Sequence, residues 1–170
     1  MFAGCSKGEA TDQDTSKDLS KATTFQKMKV QNLNEKDVDA SIFKKNKLTV
    51  VNFWSTSCTH CIQELPALEK ISKEMKSKGV GVKGFLFESG GQINSNILDE
   101  VKKIVKKENV TYQQLIGAGE IMDDDVIKNI TAVPTTFAVD SSGNIVSQIT
   151  GAMDYDGWVD FINKALKKVK

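Results

Sequence analysis

The stretch Leu48-Thr49-Val50-Val51-Asn52-Phe53-Trp54 constrains this chain more than any other. It is almost continuously apolar and rich in β-branched side chains, which fits a strand buried on both faces rather than a surface strand that alternates. Immediately beyond it stands Cys58-Thr59-His60-Cys61. From about Cys58 to Lys78 the side chains Ile62, Leu65, Leu68, Ile71 and Met75 recur at helical spacing. A buried strand therefore gives way to a helix, and two thiols stand at the start of that helix.

The rest of the chain alternates between the same two periods. Residues 24–44 read as short extended pieces broken at Asn32-Leu33-Asn34, a hairpin-like entry. VGVKGFLF (80–87) is a second buried strand, followed by the turn Ser89-Gly90-Gly91. Ile97, Leu98, Val101, Ile104 and Val105 mark one face of a helix. A short strand at 112–116 and a helix near 120–130 lead to Val133-Pro134. Residues 135–139 and 145–150 form a hairpin around Asp140-Ser141-Ser142-Gly143-Asn144, and Trp158 to Val169 closes the chain as an amphipathic helix. Strand–helix–strand alternation followed by a hairpin and a final helix argues for a three-layer α/β sandwich with a mixed sheet. Residues 1–23 are polar, with no large apolar side chain after Phe2 except Leu19, and read as a flexible tail ahead of one domain over 24–170.

Composition narrows the function classes. The chain has 170 residues, a net charge of +1, and no arginine among its 23 basic side chains. Without the guanidinium fork and without a basic excess, nucleic-acid binding is not expected. No apolar run reaches the length of a membrane span.

At the start of a helix, Cys58 meets unpaired backbone N–H groups, the positive end of the helix dipole and the nearby His60, all of which favour a thiolate. Cys61, one turn further on, shares that face and is expected to be more buried. Thiol–disulfide exchange needs this division: an exposed nucleophile attacks, and a second thiol releases the mixed disulfide. A zinc site needs four ligands, and this chain offers one pair, one histidine and the distant Cys5. Haem attachment needs histidine directly after the second cysteine, where Ile62 stands. A purely structural bridge closing so small a ring removes little chain entropy. Redox chemistry is the favoured reading, with no metal and no cofactor beyond the cysteine pair itself; the alternative is a non-catalytic metal- or peptide-binding module using the same pocket.

VVNFWSTSCTHCIQELP resembles the active-site segment of the thioredoxin superfamily, and Asn-Phe-Trp before the pair with Glu-Leu-Pro after it resembles the extracytoplasmic TlpA/ResA-like branch. The likeness covers about residues 24–170, including an inserted strand–helix region near 88–116 and the AVPTTF segment before the last hairpin. It implies a thioredoxin-like fold and thiol–disulfide oxidoreductase activity. Cys58 and Cys61 are then the catalytic pair, and Glu64 a carboxylate that influences them and accepts a proton from the resolving thiol. Trp54 and His60, with Val133 and Pro134, are the expected substrate-binding residues, Trp54 being equally readable as a core aromatic. Pro134 resembles the family's cis-proline, which exposes the Val133 backbone for strand-like pairing with substrate. Pro66 resembles a helix-kinking proline. Classical thioredoxins bury an aspartate where this chain has Asn52, which leaves Glu64 as the titratable candidate. Peroxiredoxins share the fold, but place a lone cysteine behind a Pro-x-x-x-Thr lead-in that Phe53-Trp54-Ser55-Thr56-Ser57 lacks.

Direction is contested within the sequence. Histidine before the second cysteine is similar to the oxidase DsbA and to protein disulfide isomerase, while Glu64 and the branch as a whole point to a reductant. Potentials in the superfamily span roughly 150 mV, about 7 kcal/mol for two electrons. The branch further implies exported protein substrates and a membrane electron-transfer partner of the CcdA/DsbD type. Phe2-Ala3-Gly4-Cys5 resembles the end of a lipoprotein signal, with Cys5 as the acylated residue that would tether the domain to the outer face of a bacterial membrane.

Overall fold

A computed structural model describes residues 19–88 and 92–169. Its strands are β1 (Lys29–Asn32), β2 (Asp37–Asp39), β3 (Leu48–Trp54), β4 (Val80–Leu86), β5 (Gln114–Ile116), β6 (Thr135–Asp140) and β7 (Ile145–Thr150). The helices are α1 (Thr59–Glu74), α2 (Ser95–Lys107), α3 (Asp125–Lys128) and α4 (Tyr155–Leu166). One mixed sheet runs in the order β2-β1-β5-β4-β3-β6-β7. β3 pairs in parallel with β4 and antiparallel with β6, and every residue of it is buried.

Because side chains alternate across a strand, β3 feeds two different cores. Val51 and Phe53 join Phe85, Phe137 and Val139 on one face, where Phe25, Phe43, Ile121 and Ile127 cover them. Phe53 stacks on Phe85 with ring centroids 4.1 Å apart. On the other face Leu48 and Val50 meet Leu68 and Ile71 of α1 and Trp158, Phe161 and Ile162 of α4. Trp54, at the end of β3, packs with Cys61 and Leu65 of α1, Leu86, and Val101 and Ile104 of α2. The three-layer arrangement of the thioredoxin-like fold is therefore present, with the inserted α2 and β5 as part of it.

Local chemistry sets the element ends. Asp140 Oδ1 accepts from the backbone N–H groups of Ser142 and Asn144, both at 2.9 Å, and Gly143 adopts φ 83°, which closes the β6–β7 turn. Asn94 caps α2 by accepting from the Ile97 N–H. Pro66 lies inside α1, which continues through it to Glu74, although the Ile62 carbonyl loses its usual donor there.

Two stretches differ from the sequence reading. The helix expected over 120–130 is broken into a 3-10 turn (Gly119–Asp123) and the single turn α3. Between them Asp124 is extended, and its Oδ1 accepts from the Val126 N–H at 2.8 Å and the Thr24 hydroxyl at 2.7 Å. An aspartate with such partners favours capping over a helix interior. Upstream, the structure begins before residue 24. Leu19–Lys21 form a 3-10 turn, and Leu19 and Ala22 pack against the core cluster that contains Phe25. Those two apolar side chains give this segment something to bury. The rest of the expected tail, including Cys5, lies outside the described residues.

Candidate active site

The sequence brings the two cysteines together through the start of α1. Cys58 is the N-cap residue, extended at φ −93° and ψ 101°, and its Sγ accepts from the Cys61 N–H at 3.2 Å. The two are joined as a disulfide with Cα atoms 5.2 Å apart. Their surroundings differ in the expected sense: Cys58 is half-buried, while Cys61 is wholly buried.

Facing the pair is the loop before β6. The Val133-Pro134 peptide bond is cis, and the Val133 carbonyl oxygen stands 3.6 Å from Cys58 Sγ. Once the bridge is reduced, a Cys58 thiol could donate to that oxygen, whereas a thiolate would face its lone pairs. The Pro134 carbonyl accepts from the Gly151 N–H at 2.8 Å, which ties this loop to the segment after β7. His60 lies on the exposed side of the helix start. Trp54 does not reach the surface: its ring is fully buried in the cluster around Cys61, and its Nε1 donates to Gln114 Oε1 at 3.0 Å. Gly84 lies directly across from Gln114 in the β4–β5 pairing, and a Cβ there would collide with the Gln114 amide. The tryptophan thus supports the cysteines from beneath.

Glu64 is buried, with 3% of its surface exposed. Its Oε1 accepts from Asn52 Nδ2 at 2.8 Å, and its Oε2 from the Met153 N–H at 3.1 Å. Burial pushes its carboxyl up to about 8, against the two hydrogen bonds, which pull it down. A carboxyl in that range titrates near an ordinary thiol. Asn52 also donates to the Thr136 hydroxyl at 3.1 Å, while its Oδ1 is buried without a partner. The residue that cannot titrate therefore serves as a hydrogen-bond partner of the one that can. Burial, then the charges of Glu64 and Glu69, push the Tyr112 hydroxyl above its ordinary range.

Two contacts at the site were not foreseen. One is the Met153 N–H on Glu64, across 89 residues of chain. The other is Glu88, whose Oε1 accepts from both the Thr56 N–H at 2.7 Å and the Thr56 hydroxyl at 2.8 Å. The signal for Glu88 was its place just past the end of β4, because parallel neighbours end side by side. Among the described residues, no group of three or more His, Cys, Asp or Glu side chains is placed to hold a metal ion.

Residues 17–165 match the family model described as Redoxin. The chain belongs to the redoxin family. The thioredoxin-like protein YneN of Bacillus subtilis is 32% identical over 109 residues, 64% of this chain and 59% of YneN. The chain thus spans less than two thirds of that relative. The thiol-disulfide oxidoreductase ResA of Bacillus thuringiensis subsp. konkukian is 25% identical over 138 residues, 79% of this chain and 72% of that protein. A solved thiol:disulfide interchange protein of the thioredoxin family, from Chlorobium tepidum, is similar with a TM-score of 0.65 and 25% identity, covering 82% of this chain and 92% of that one. This redoxin accordingly belongs to the thioredoxin superfamily and is TlpA/ResA-like, as its sequence suggested.

Proposed function

We propose that this redoxin is a thiol–disulfide oxidoreductase that reduces or exchanges protein disulfides outside the cytoplasm. One observation carries the reading: a half-exposed Cys58 bridged to a buried Cys61 at a helix start, opposite a cis-proline. In the reduced protein the Cys58 thiolate attacks one sulfur of a substrate disulfide, forming a mixed disulfide and releasing one substrate thiolate. Cys61 then loses its proton, with Glu64 as acceptor, and attacks Cys58. The second substrate thiolate leaves, and the protein's own disulfide is restored. Two electrons have passed to the substrate, and two from a membrane protein of the CcdA/DsbD type return the pair to dithiols. The half-buried Val133, in the loop before β6, offers backbone groups for pairing with the substrate chain.

Two features favour a reductant. The Val133 carbonyl favours a Cys58 thiol over a thiolate, so ionisation of Cys58 adds little stability to the reduced form. His60, which favours the thiolate, is exposed and therefore screened by solvent. Equilibration with glutathione should give a potential near the thioredoxin value of about −270 mV, and one near the DsbA value of about −120 mV would overturn the reductant reading.

The extracytoplasmic address rests on the ResA-like relatives and on Phe2-Ala3-Gly4-Cys5. Among the described residues no helix is long and apolar enough to cross a membrane, so a lipid on Cys5 is the proposed attachment. Mass analysis of the protein from its native membrane should find a diacylglyceryl group on Cys5; an unmodified cysteine there would remove the anchor.

A further inference from the structure

We propose that Glu88 is a positioning residue for Cys58: its carboxylate holds the turn that presents the attacking sulfur, and its charge keeps that thiol less acidic. The idea rests on the reading that Cys58 is the nucleophile. After β3 ends at Trp54, the chain turns through Ser55–Cys58, closed by the Cys58 N–H donating to the Ser55 carbonyl at 3.2 Å. Such a turn leaves its second residue, Thr56, with a free N–H and hydroxyl. Both are taken by one oxygen of Glu88, at 2.7 and 2.8 Å.

The reach of Glu88 is set by the sheet. β4 runs parallel to β3 with Leu86 beside Trp54, and the Phe87 N–H donates to the Trp54 carbonyl at 2.8 Å. Glu88 is then the next residue along, beside the turn. A carboxylate accepting a backbone N–H makes a stronger clamp than a neutral acceptor. It also sets a negative charge two residues from Cys58, against the favourable field of the helix start. Of the segments around Cys58, α1 contributes His60, Cys61 and Glu64, Tyr112 lies in the same cluster, and the residues after β4 contribute Glu88. Residues 129–134 and 151–153 contribute no titratable side chain. Glu88 is half-exposed, so its field is partly screened and its expected effect on the thiol is modest.

The test compares the wild-type protein with Glu88→Gln, which keeps an acceptor for Thr56 but loses the charge, and with Glu88→Ala, which loses both. The midpoint for alkylation of Cys58 by iodoacetamide should fall by about half a pH unit in Glu88→Gln, and the glutathione equilibrium should shift about threefold toward the reduced protein. In insulin reduction, kcat/KM should fall about tenfold in Glu88→Ala and stay within about twofold in Glu88→Gln. Equal alkylation midpoints in wild type and Glu88→Gln sink the charge role. Equal kcat/KM in wild type and Glu88→Ala, or equal losses in both variants, sinks the positioning role. The alkylation midpoint is defined whichever direction the exchange runs, so a failed reductant reading leaves it intact. It also uses Glu88→Gln alone, and stands even where Glu88→Ala fails to fold.

Discussion

Cys58→Ser and Cys61→Ser should each lose insulin-reduction turnover by on the order of a thousandfold or more, because a hydroxyl is not a thiolate nucleophile at neutral pH. The two variants fail at different steps. Cys61→Ser keeps the half-exposed Cys58, so it attacks a substrate disulfide and stalls as a mixed disulfide, visible as a mass adduct. Cys58→Ser leaves only Cys61, which is wholly buried among Trp54, Leu65 and Leu86, and should form no adduct on the same timescale. Unfolding does not confuse the comparison. A ring this small contributes only about 2 kcal/mol on the chain-entropy argument, and the surrounding core does not depend on it. The measurement is intact-protein mass spectrometry after mixing with a disulfide substrate. An adduct on Cys61 in Cys58→Ser, as fast as on Cys58 in Cys61→Ser, would reverse the assigned roles. Undiminished turnover in both variants would remove the catalytic reading altogether.

The elements that carry the thiols were legible because their signals are local. The unbroken run at 48–54 is a strand buried on both faces, and Leu65, Leu68 and Ile71 of the predicted stripe lie on the buried side of α1. The cysteines fall between them, so the N-cap position of Cys58 followed from adjacency. The hairpin around Asp140–Asn144 was legible for the same reason: the turn residues bond to their own backbone. What the sequence hid depends on distant pairing. Asn52 and Glu64 stand 12 residues apart and meet only because α1 folds back over β3. Met153 reaches Glu64 across the whole second half of the domain, and Glu88 reaches Thr56 only through the parallel register of β3 and β4. The break at Asp124 was invisible to periodicity, because Ile121 and Ile127 keep an apolar face on either side of it. Trp54 illustrates a different limit: an aromatic next to a cysteine motif reads equally as a surface contact or as core, and burial decides for the core.

The oxidised protein should lose stability as pH rises from about 5 to about 8, and Glu64→Gln should remove most of that loss. The Glu64 carboxyl titrates near 8 in the folded protein against an ordinary value of 4.5. Below the ordinary value it is protonated in both states and has no effect on the difference between them. Between the two values the unfolded chain ionises while the folded protein keeps its proton. The unfolded state then binds fewer protons, so the free energy of unfolding falls with rising pH and levels off above 8. The full span is worth about 5 kcal/mol at the usual 1.36 kcal/mol per pKa unit. A glutamine at 64 is neutral in both states and carries no such slope. It also fits the hydrogen bonds available: its oxygen can accept from the Met153 N–H, and its amide can donate to Asn52 Oδ1 once the Asn52 amide turns over, because Asn52 now presents Nδ2 to residue 64. The variant should therefore match the wild type within about 1 kcal/mol near pH 5 and exceed it by several kcal/mol near pH 8. Urea denaturation of both oxidised proteins at the two pH values decides the matter. Parallel curves would show that Glu64 is already ionised in the folded protein at pH 5. Its place as proton acceptor for Cys61 near neutral pH would then lose its basis, because a carboxylate that ionises so easily is too weak a base to take a proton from an ordinary thiol.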